Sequence, residues 1–352
     1  MSRQLFSAAL VCGFLSATAA LAQQSDSQQQ PAPAAQTAQP SSQPSSAPQV
    51  PAQSATPPAQ APGQQNGDNQ DADIPVIRTS VNEVNLIFTV TDKHGNFIPN
   101  LRQSDFALLD DQKAPARITS FTQQTNLPLR VGIVIDASTS IRTRFQFEQQ
   151  SASEFLLQVL KSKRDRAFVM GFDSTPTVTQ DWTNNLDGLQ TGVSKLRPGG
   201  GTALFDAVYT ACRDKLLDVS RGQEPVRRAI VLVSDGNDNQ SRAYMDDAVK
   251  MCQRAETIIF AISTNWTPSR GKGDDVMIKM AEATGGRAFF PPSVEEISTS
   301  FYSIEEELRS QYLLTYTPAD FKADGAFRTI YLYANDRRYS VRTKKGYFSP
   351  KQ

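Results

Sequence analysis

The sequence predicts an α/β protein in which a doubly wound, mostly parallel sheet is inserted in, or flanked by, a small all-β domain. Between residues 128 and 310, short apolar strands alternate with helices, a pattern typical of a parallel sheet that is covered on both faces. On either side of this region the apolar residues recur with a period of two, which indicates strands with one exposed face. The 352 residues are enough for two domains and a tail.

The central segment 128–310 is predicted to contain six strands and six helices. The predicted strands are 131–135, 167–172, 175–179, 229–233, 257–262 and 287–290, and the predicted helices lie near 143–161, 184–196, 203–217, 242–255, 275–284 and 293–310. Cys212 and Cys252 both fall on predicted helices. They are either two small buried residues or, in an oxidising compartment, a disulfide, and the sequence does not decide between these.

The flanking segments 74–127 and 311–352 are each predicted to form about three strands. The predicted strands are Val84–Val90, Phe106–Leu109, Ile118–Phe121, Tyr312–Tyr316, Arg328–Tyr333 and Tyr339–Arg342, with turns at 92–96 and 110–111. Three strands with an open edge are rarely stable alone. We therefore expect the strands of 311–352 to pair with those of 74–127 and to complete one β domain.

The first residues have the pattern of an export signal. Residues 1–22 have a positive charge near the start, at Arg3, then a largely apolar run, and end in Ala20-Leu21-Ala22. This pattern is typical of a cleaved signal peptide. The alternative, an uncleaved anchor, is disfavoured by the polar residues that interrupt the run. No other segment is long enough to span a bilayer, so we expect a mature chain without a transmembrane segment, located in the periplasm, outside the cell or at its surface.

Residues 23–73 consist almost entirely of Gln, Pro, Ser and Ala. Such a segment cannot bury enough apolar surface to offset the entropy lost on ordering, so we predict a disordered linker. It would serve either as a stalk or as a passive spacer. The whole chain has 36 basic and 36 acidic residues, a balance that argues against a nucleic-acid partner.

Three motifs place oxygen ligands where strands of the central segment end. Asp136-Ala137-Ser138-Thr139-Ser140 follows the first strand, and Gly199-Gly200-Gly201 allows a sharp turn that directs Thr202 into the same crevice. The strand 229–233 ends in Ser234-Asp235-Gly236, so Asp235 lies at the same edge if the two strands are neighbours. Carboxylate and hydroxyl oxygens suit a hard divalent cation. The predicted metal ligands are Asp136, Ser138, Ser140, Thr202 and Asp235.

These motifs resemble the metal-ion-dependent adhesion site of von Willebrand factor A domains, including integrin I domains. The match covers about residues 130–310, and all five ligand positions agree in type and order. The full layout, with its tail ending in Gly346-Tyr347-Phe348, resembles exported A-domain proteins of acidobacteria. The resemblance implies a Rossmann-like sheet with an intact site for Mg²⁺ (or Mn²⁺ or Ca²⁺), to which a protein partner supplies an Asp or Glu carboxylate.

Each motif also has an ordinary structural interpretation. Ser138 and Ser140 would cap the following helix, and Asp235 with Gly236 would form a turn. Arg142 and Arg144 either attract an acidic partner or belong to a solvated helix face.

An enzymatic function is not expected. Asp136 has no second carboxylate beside it, the glycine-rich loop is not followed by Lys-Ser/Thr, and the only histidine, His94, lies in the β unit away from the serines. We expect a metal-dependent protein-binding or adhesion module. The alternative is a structural or assembly component of the cell envelope in which the metal mainly stabilises the fold. The sequence does not determine the oligomeric state.

Overall fold

The computed structural model describes residues 83–124, 127–142, 145–217, 226–265 and 269–351. The predicted leader 1–22, the predicted linker 23–73 and the start of the N-terminal β unit lie outside the described residues. Everything described belongs to one unit that begins at Val76. Within these ranges, none of the helices has the length and apolar character needed to cross a bilayer.

The strands and helices are numbered in chain order. The strands are β1 (Val84–Thr91), β2 (Phe106–Asp110), β3 (Arg117–Gln124), β4 (Leu129–Asp136), β5 (Arg166–Phe172), β6 (Pro176–Thr183), β7 (Arg227–Ser234), β8 (Thr257–Ser263), β9 (Ala288–Phe289), β10 (Gln311–Thr317), β11 (Phe327–Ala334), β12 (Ser340–Thr343) and β13 (Gly346–Phe348). The α-helices are α1 (Phe145–Val159), α2 (Leu186–Lys195), α3 (Leu204–Thr210), α4 (Met245–Arg254), α5 (Lys272–Thr284) and α6 (Ile297–Arg309).

The central sheet has the strand order β6-β5-β4-β7-β8-β9. Its pairs are parallel except that β6 runs antiparallel to β5. One face packs against α1, α2 and α6, and the other packs against α3, α4 and α5. The interior strands are apolar on both faces because both faces are covered, and Ile133 and Val134 of β4 are both 0% exposed. The predicted α/β fold class is confirmed.

Two antiparallel sheets complete the unit, with strand orders β12-β1-β10-β3 and β13-β11-β2. β1 pairs with β10 from Val84 opposite Tyr316 to Phe88 opposite Tyr312, so strands from both ends of the described chain share one sheet. The two sheets enclose one core, to which Phe88 of the first and Leu332 of the second contribute. The four- and three-stranded sheets thus bury apolar faces that neither could cover alone.

The predicted turn at 110–111 is wrong by one residue. The structure places Asp110 at the end of β2 with 1% exposure, and the turn lies one residue later, where Asp111 and Gln112 have positive φ angles of 46° and 66°. Asp110 accepts hydrogen bonds from Tyr316, Arg328 and Tyr347, three residues from the C-terminal strands. A buried carboxylate with three donors is a structural residue, which sequence periodicity does not reveal.

A disulfide joins Cys212 to Cys252, which settles the alternative that the sequence left open. Cys212 lies in a π-helical turn, Ala211–Leu216, that continues α3 where the sequence predicts an uninterrupted helix. Cys252 lies on α4, and the two Cα atoms are 5.0 Å apart. The bond closes a sequence separation of 40 residues and ties α3 to α4 on one face of the sheet.

Replacing both cysteines with alanine is expected to lower the free energy of unfolding by about 3–4 kcal/mol, because the unfolded chain gains the entropy of an open loop of this length. Urea unfolding of the oxidised protein and of the variant measures the difference. Wild-type protein treated with reductant should match the variant. Two free thiols in protein purified without reductant from an oxidising compartment would contradict this account.

Candidate metal centre

Strand pairing brings the two predicted metal-ligand aspartates to one edge of the central sheet. β4 and β7 are parallel neighbours, with Ile135 opposite Val233. Asp136 is the last residue of β4, and Asp235 directly follows β7. Both carboxylates therefore lie at the carboxyl edge, where open α/β sheets bind their ligands.

The Asp136 side chain is buried and fixed by two hydrogen bonds. Its exposure is 0%; Oδ1 accepts from the Ser138 backbone N–H at 2.8 Å, and Oδ2 accepts from Ser234 Oγ at 2.7 Å. Burial raises the pKa of the Asp136 carboxyl, although the bonds from Ser138 and Ser234 oppose the shift. A buried carboxylate of this kind gains from a nearby positive charge.

Ser234 is a site residue that the sequence analysis missed. Its side chain positions Asp136, and its own Oγ accepts the backbone N–H of Gly236 at 3.1 Å. The parallel register that pairs Ile135 with Val233 sets Ser234 opposite Asp136 on the same face, so pairing the two predicted strands in this register would have identified Ser234.

Ser138, Ser140 and Asp235 form a hydrogen-bonded group at the carboxyl edge of the central sheet, which we call the rim. Ser138 Oγ and Ser140 Oγ are 2.9 Å apart, and Ser140 Oγ donates to Asp235 Oδ2 at 3.4 Å. Ser138 precedes the short 3₁₀ turn Thr139–Ile141, but its side chain makes no capping hydrogen bond. Ser138 therefore does not cap this turn, and its hydroxyl contacts Ser140 instead.

Hydrogen bonds of the preceding glycine loop place Thr202 at the same rim. The glycine loop is bonded to the segment after β4, with Gly199 N–H donating to Ala137 O at 2.7 Å and Thr139 Oγ1 donating to Gly200 O at 3.0 Å. Gly200 has φ +65°, a conformation that glycine adopts without strain. Thr202, 5% exposed, follows this loop directly.

The loop after Asp235 holds Thr202 in place. Asn239 Oδ1 accepts the Thr202 N–H at 2.9 Å, and Thr202 O accepts the N–H groups of Asn239 and Gln240 at 3.0 and 3.1 Å. Asn239 was not predicted as a site residue. The polar run Asn237-Asp238-Asn239 was the available signal, since such side chains often bond to backbone groups in loops.

The donor set fits a hard divalent cation. Within the described ranges, no group of three or more His, Cys, Asp or Glu residues could hold a metal ion. A cation at this edge would therefore depend on the hydroxyls of Ser138, Ser140 and Thr202 together with the two aspartates. All of these are oxygen ligands, as Mg²⁺, Mn²⁺ and Ca²⁺ prefer. Arg142 is exposed beyond the motif, and Arg144 lies outside the described residues.

Comparison with known families agrees with the fold. Residues 131–303 match the family model of the von Willebrand factor type A domain. Residues 131–303 therefore form a domain of this family. Domains of this family are typically non-catalytic binding modules, often metal-dependent, and their adhesion sites bind divalent cations.

Curated relatives match about half of the chain. A UPF0353 protein of Mycolicibacterium gilvum is 25% identical over 202 residues, which cover 51% of this chain and 60% of the relative. A UPF0353 protein of Mycolicibacterium paratuberculosis is 26% identical over 199 residues, which cover 50% of this chain and 60% of the relative. The match thus spans about three-fifths of the length of these relatives.

Solved structures with a similar fold come from bacteria and from a mussel. A von Willebrand factor type A protein of Catenulispora acidiphila has a TM-score of 0.44 at 13% identity, covering 70% of this chain and 72% of that one. Proximal thread matrix protein 1 of the mussel byssus, with a zinc-occupied MIDAS motif, has a TM-score of 0.44 at 16% identity, covering 58% and 50%.

Proposed function

We propose that this protein is an exported, metal-dependent protein-binding or adhesion module. Asp136, Ser138, Ser140, Thr202 and Asp235 would hold one divalent cation, Mg²⁺ or alternatively Mn²⁺ or Ca²⁺. The observation that carries the proposal is the hydroxyl pair of Ser138 and Ser140, 2.9 Å apart and linked to Asp235, at the rim above the buried Asp136.

The composition of the donor set supports a partner that presents a carboxylate. Three of the five donors are neutral hydroxyls, and a six-coordinate cation held by these five donors would have one position open for a further oxygen ligand. An Asp or Glu side chain of another protein supplies such a ligand. The exposed Arg142, just beyond Ser140, adds attraction for an acidic partner.

The disulfide supports export. Disulfides persist in oxidising compartments and are rare in the cytosol, and Cys212 is bonded to Cys252. The proposed layout is a leader 1–22, a linker 23–73, and an A domain 128–310 between β segments 74–127 and 311–352. The mature protein would then act in the periplasm, outside the cell or at its surface.

Capture of partners with the immobilised full chain tests the proposal. With native envelope extract in Mg²⁺ buffer, we expect proteins to bind to the wild type, to elute with EDTA and to be absent from Asp136→Ala. Asp336→Asn is the matched control and should behave as the wild type, because Asp336 is a partly exposed acidic residue of the β domain that pairs with the exposed Arg338.

Two outcomes separate this proposal from the structural alternative. Capture that survives both EDTA and Asp136→Ala would contradict a metal-dependent partner site. If EDTA and Asp136→Ala lower the melting temperature but leave capture unchanged, the metal serves mainly to stabilise an envelope component.

A further inference from the structure

Three arginines lie side by side at the amino edge of the central sheet, opposite the candidate metal centre. Arg130 of β4 is in register with Arg166 of β5 on one side and with Arg228 of β7 on the other. Residues in parallel register share one face, and neighbouring strands are about 4.8 Å apart. Like charges at this spacing repel each other, so the row is unfavourable unless an anion lies beside it.

Backbone carbonyls hold two of these guanidinium groups in place. Arg130 Nη1 donates to Arg164 O at 2.6 Å and to Leu129 O at 3.0 Å. Arg166 Nη1 donates to Lys163 O at 2.7 Å and to Asp165 O at 2.9 Å. In the part of the chain that the structure describes, these bonds use only Nη1, so Nε and Nη2 of both arginines stay available.

Asp165, the carboxylate directly before Arg166 in the chain, is already engaged. Asp165 is 0% exposed; its Oδ1 accepts the Leu129 N–H at 2.9 Å, and its Oδ2 accepts Arg309 Nη2 at 2.8 Å. Oδ2 also accepts the backbone N–H groups of Lys161 and Ser162 at 3.1 and 2.8 Å. Arg228 is within 3.4 Å of Glu256, so the side of the row at Arg130 and Arg166 carries the excess charge.

The local sequence enlarges this positive region. Residues 161–166, Lys-Ser-Lys-Arg-Asp-Arg, contain four basic residues in six, of which Lys161 is paired with Glu305. Lys163 is exposed at this turn. Burial, followed by the positive charge of Arg166, lowers the pKa of Arg130, and the negative charge of Asp165 opposes the shift.

We propose that Arg130 and Arg166, with Lys163 beside them, form a binding site for a phosphoryl group. A guanidinium offers parallel N–H donors that match two oxygens of a phosphate, and two such groups with a lysine suit a dianion. The site lies at the opposite end of the sheet from the candidate metal centre and does not depend on it. The phosphoryl group would belong either to a free phosphate compound or to a phospholipid headgroup.

Titration of the full chain with inorganic phosphate, in EDTA to exclude binding through a metal, tests the site. We expect saturable binding by calorimetry, weakened at least tenfold in the double variant Arg130→Gln/Arg166→Gln. Arg338→Gln, an exposed arginine elsewhere, is the control and should bind as the wild type. Because Arg130 and Arg166 also bond to the backbone, the exposed Lys163→Gln is a second variant, expected to weaken binding by about two- to fourfold without a change in melting temperature.

Sedimentation with phosphatidylglycerol vesicles, compared with sedimentation with phosphatidylcholine vesicles, distinguishes a phospholipid headgroup from a free phosphate compound. Binding to phosphatidylglycerol vesicles that is lost in the double variant, with inorganic phosphate only weakly bound, assigns the site to a lipid headgroup. Saturable phosphate binding without vesicle binding assigns it to a free phosphate compound. If neither ligand distinguishes the wild type from the double variant and from Lys163→Gln, the proposal is wrong.

Discussion

Asp110→Asn is expected to lower the free energy of unfolding by about 3–5 kcal/mol, the usual loss when one member of a buried ion pair is removed. For a unit of this size, the melting temperature should fall by on the order of 10 °C. Thermal and urea unfolding of the purified chain measure the effect.

The reason is the position of Asp110 between the two antiparallel sheets. Its Oδ1 accepts from Arg328 Nε at 2.8 Å, and its Oδ2 accepts from the hydroxyls of Tyr316 at 2.7 Å and Tyr347 at 2.9 Å. Burial, together with the bond to Asp110, raises the pKa of Tyr316. An asparagine would leave the Arg328 guanidinium, 7% exposed, with only the partly exposed Asp320 and Asp111 as counter-charges.

Asp336→Asn provides the matched control in the same domain. Asp336 also pairs with an arginine, but Arg338 is 82% exposed, and exposed pairs contribute about 0–1 kcal/mol. Equal stability losses in Asp110→Asn and Asp336→Asn would contradict the assignment of Asp110 as the link between the sheets.

The fold class could be predicted from sequence because its elements have strong local signals. The strand Val131–Ile135 is apolar throughout, which requires cover on both faces, and the structure extends it only to Leu129–Asp136. The features that could not be predicted depend on tertiary contacts. The π-helical turn that carries Cys212 lies within a continuous helical pattern, and β13, only three residues long, is defined by its pairing with β11.

The five candidate ligands could be chosen from sequence because each lies within a few residues of a strand end or directly after a glycine turn. The residues that position these ligands were not predicted. Ser234 bonds to Asp136 across neighbouring strands, and Asn239 bonds to Thr202 between two loops. Each contact joins two segments that are far apart in the chain, so the sequence around either residue does not identify its partner. The strand register would have predicted Ser234, whereas Asn239 depends on loop geometry.

The second prediction with a large expected effect concerns the binding of a divalent cation. Replacing Asp136 with alanine is expected to weaken divalent-cation binding by at least about 100-fold, because it removes the central carboxylate of the candidate centre together with the acceptor for Ser138 and Ser234. Ser234→Ala, which leaves all five candidate ligands in place, should weaken binding by about 10-fold through the loss of positioning. Asp336→Asn should have no effect.

Thermal unfolding gives an independent reading of the same effect. A cation present at about 100 times its Kd should stabilise the wild type by about 2.7 kcal/mol, and Asp136→Ala should show no such gain. The variant should also unfold at a temperature that EDTA does not change.

Titration of the full chain with Mn²⁺, followed by the electron paramagnetic resonance signal of the free ion, tests the central claim most directly. We expect one Mn²⁺ per wild-type chain, displaced by excess Mg²⁺, and no saturable binding to Asp136→Ala. A wild-type chain that leaves millimolar Mn²⁺ free, or an Asp136→Ala variant that binds as tightly as the wild type, would contradict a metal centre at this edge of the sheet.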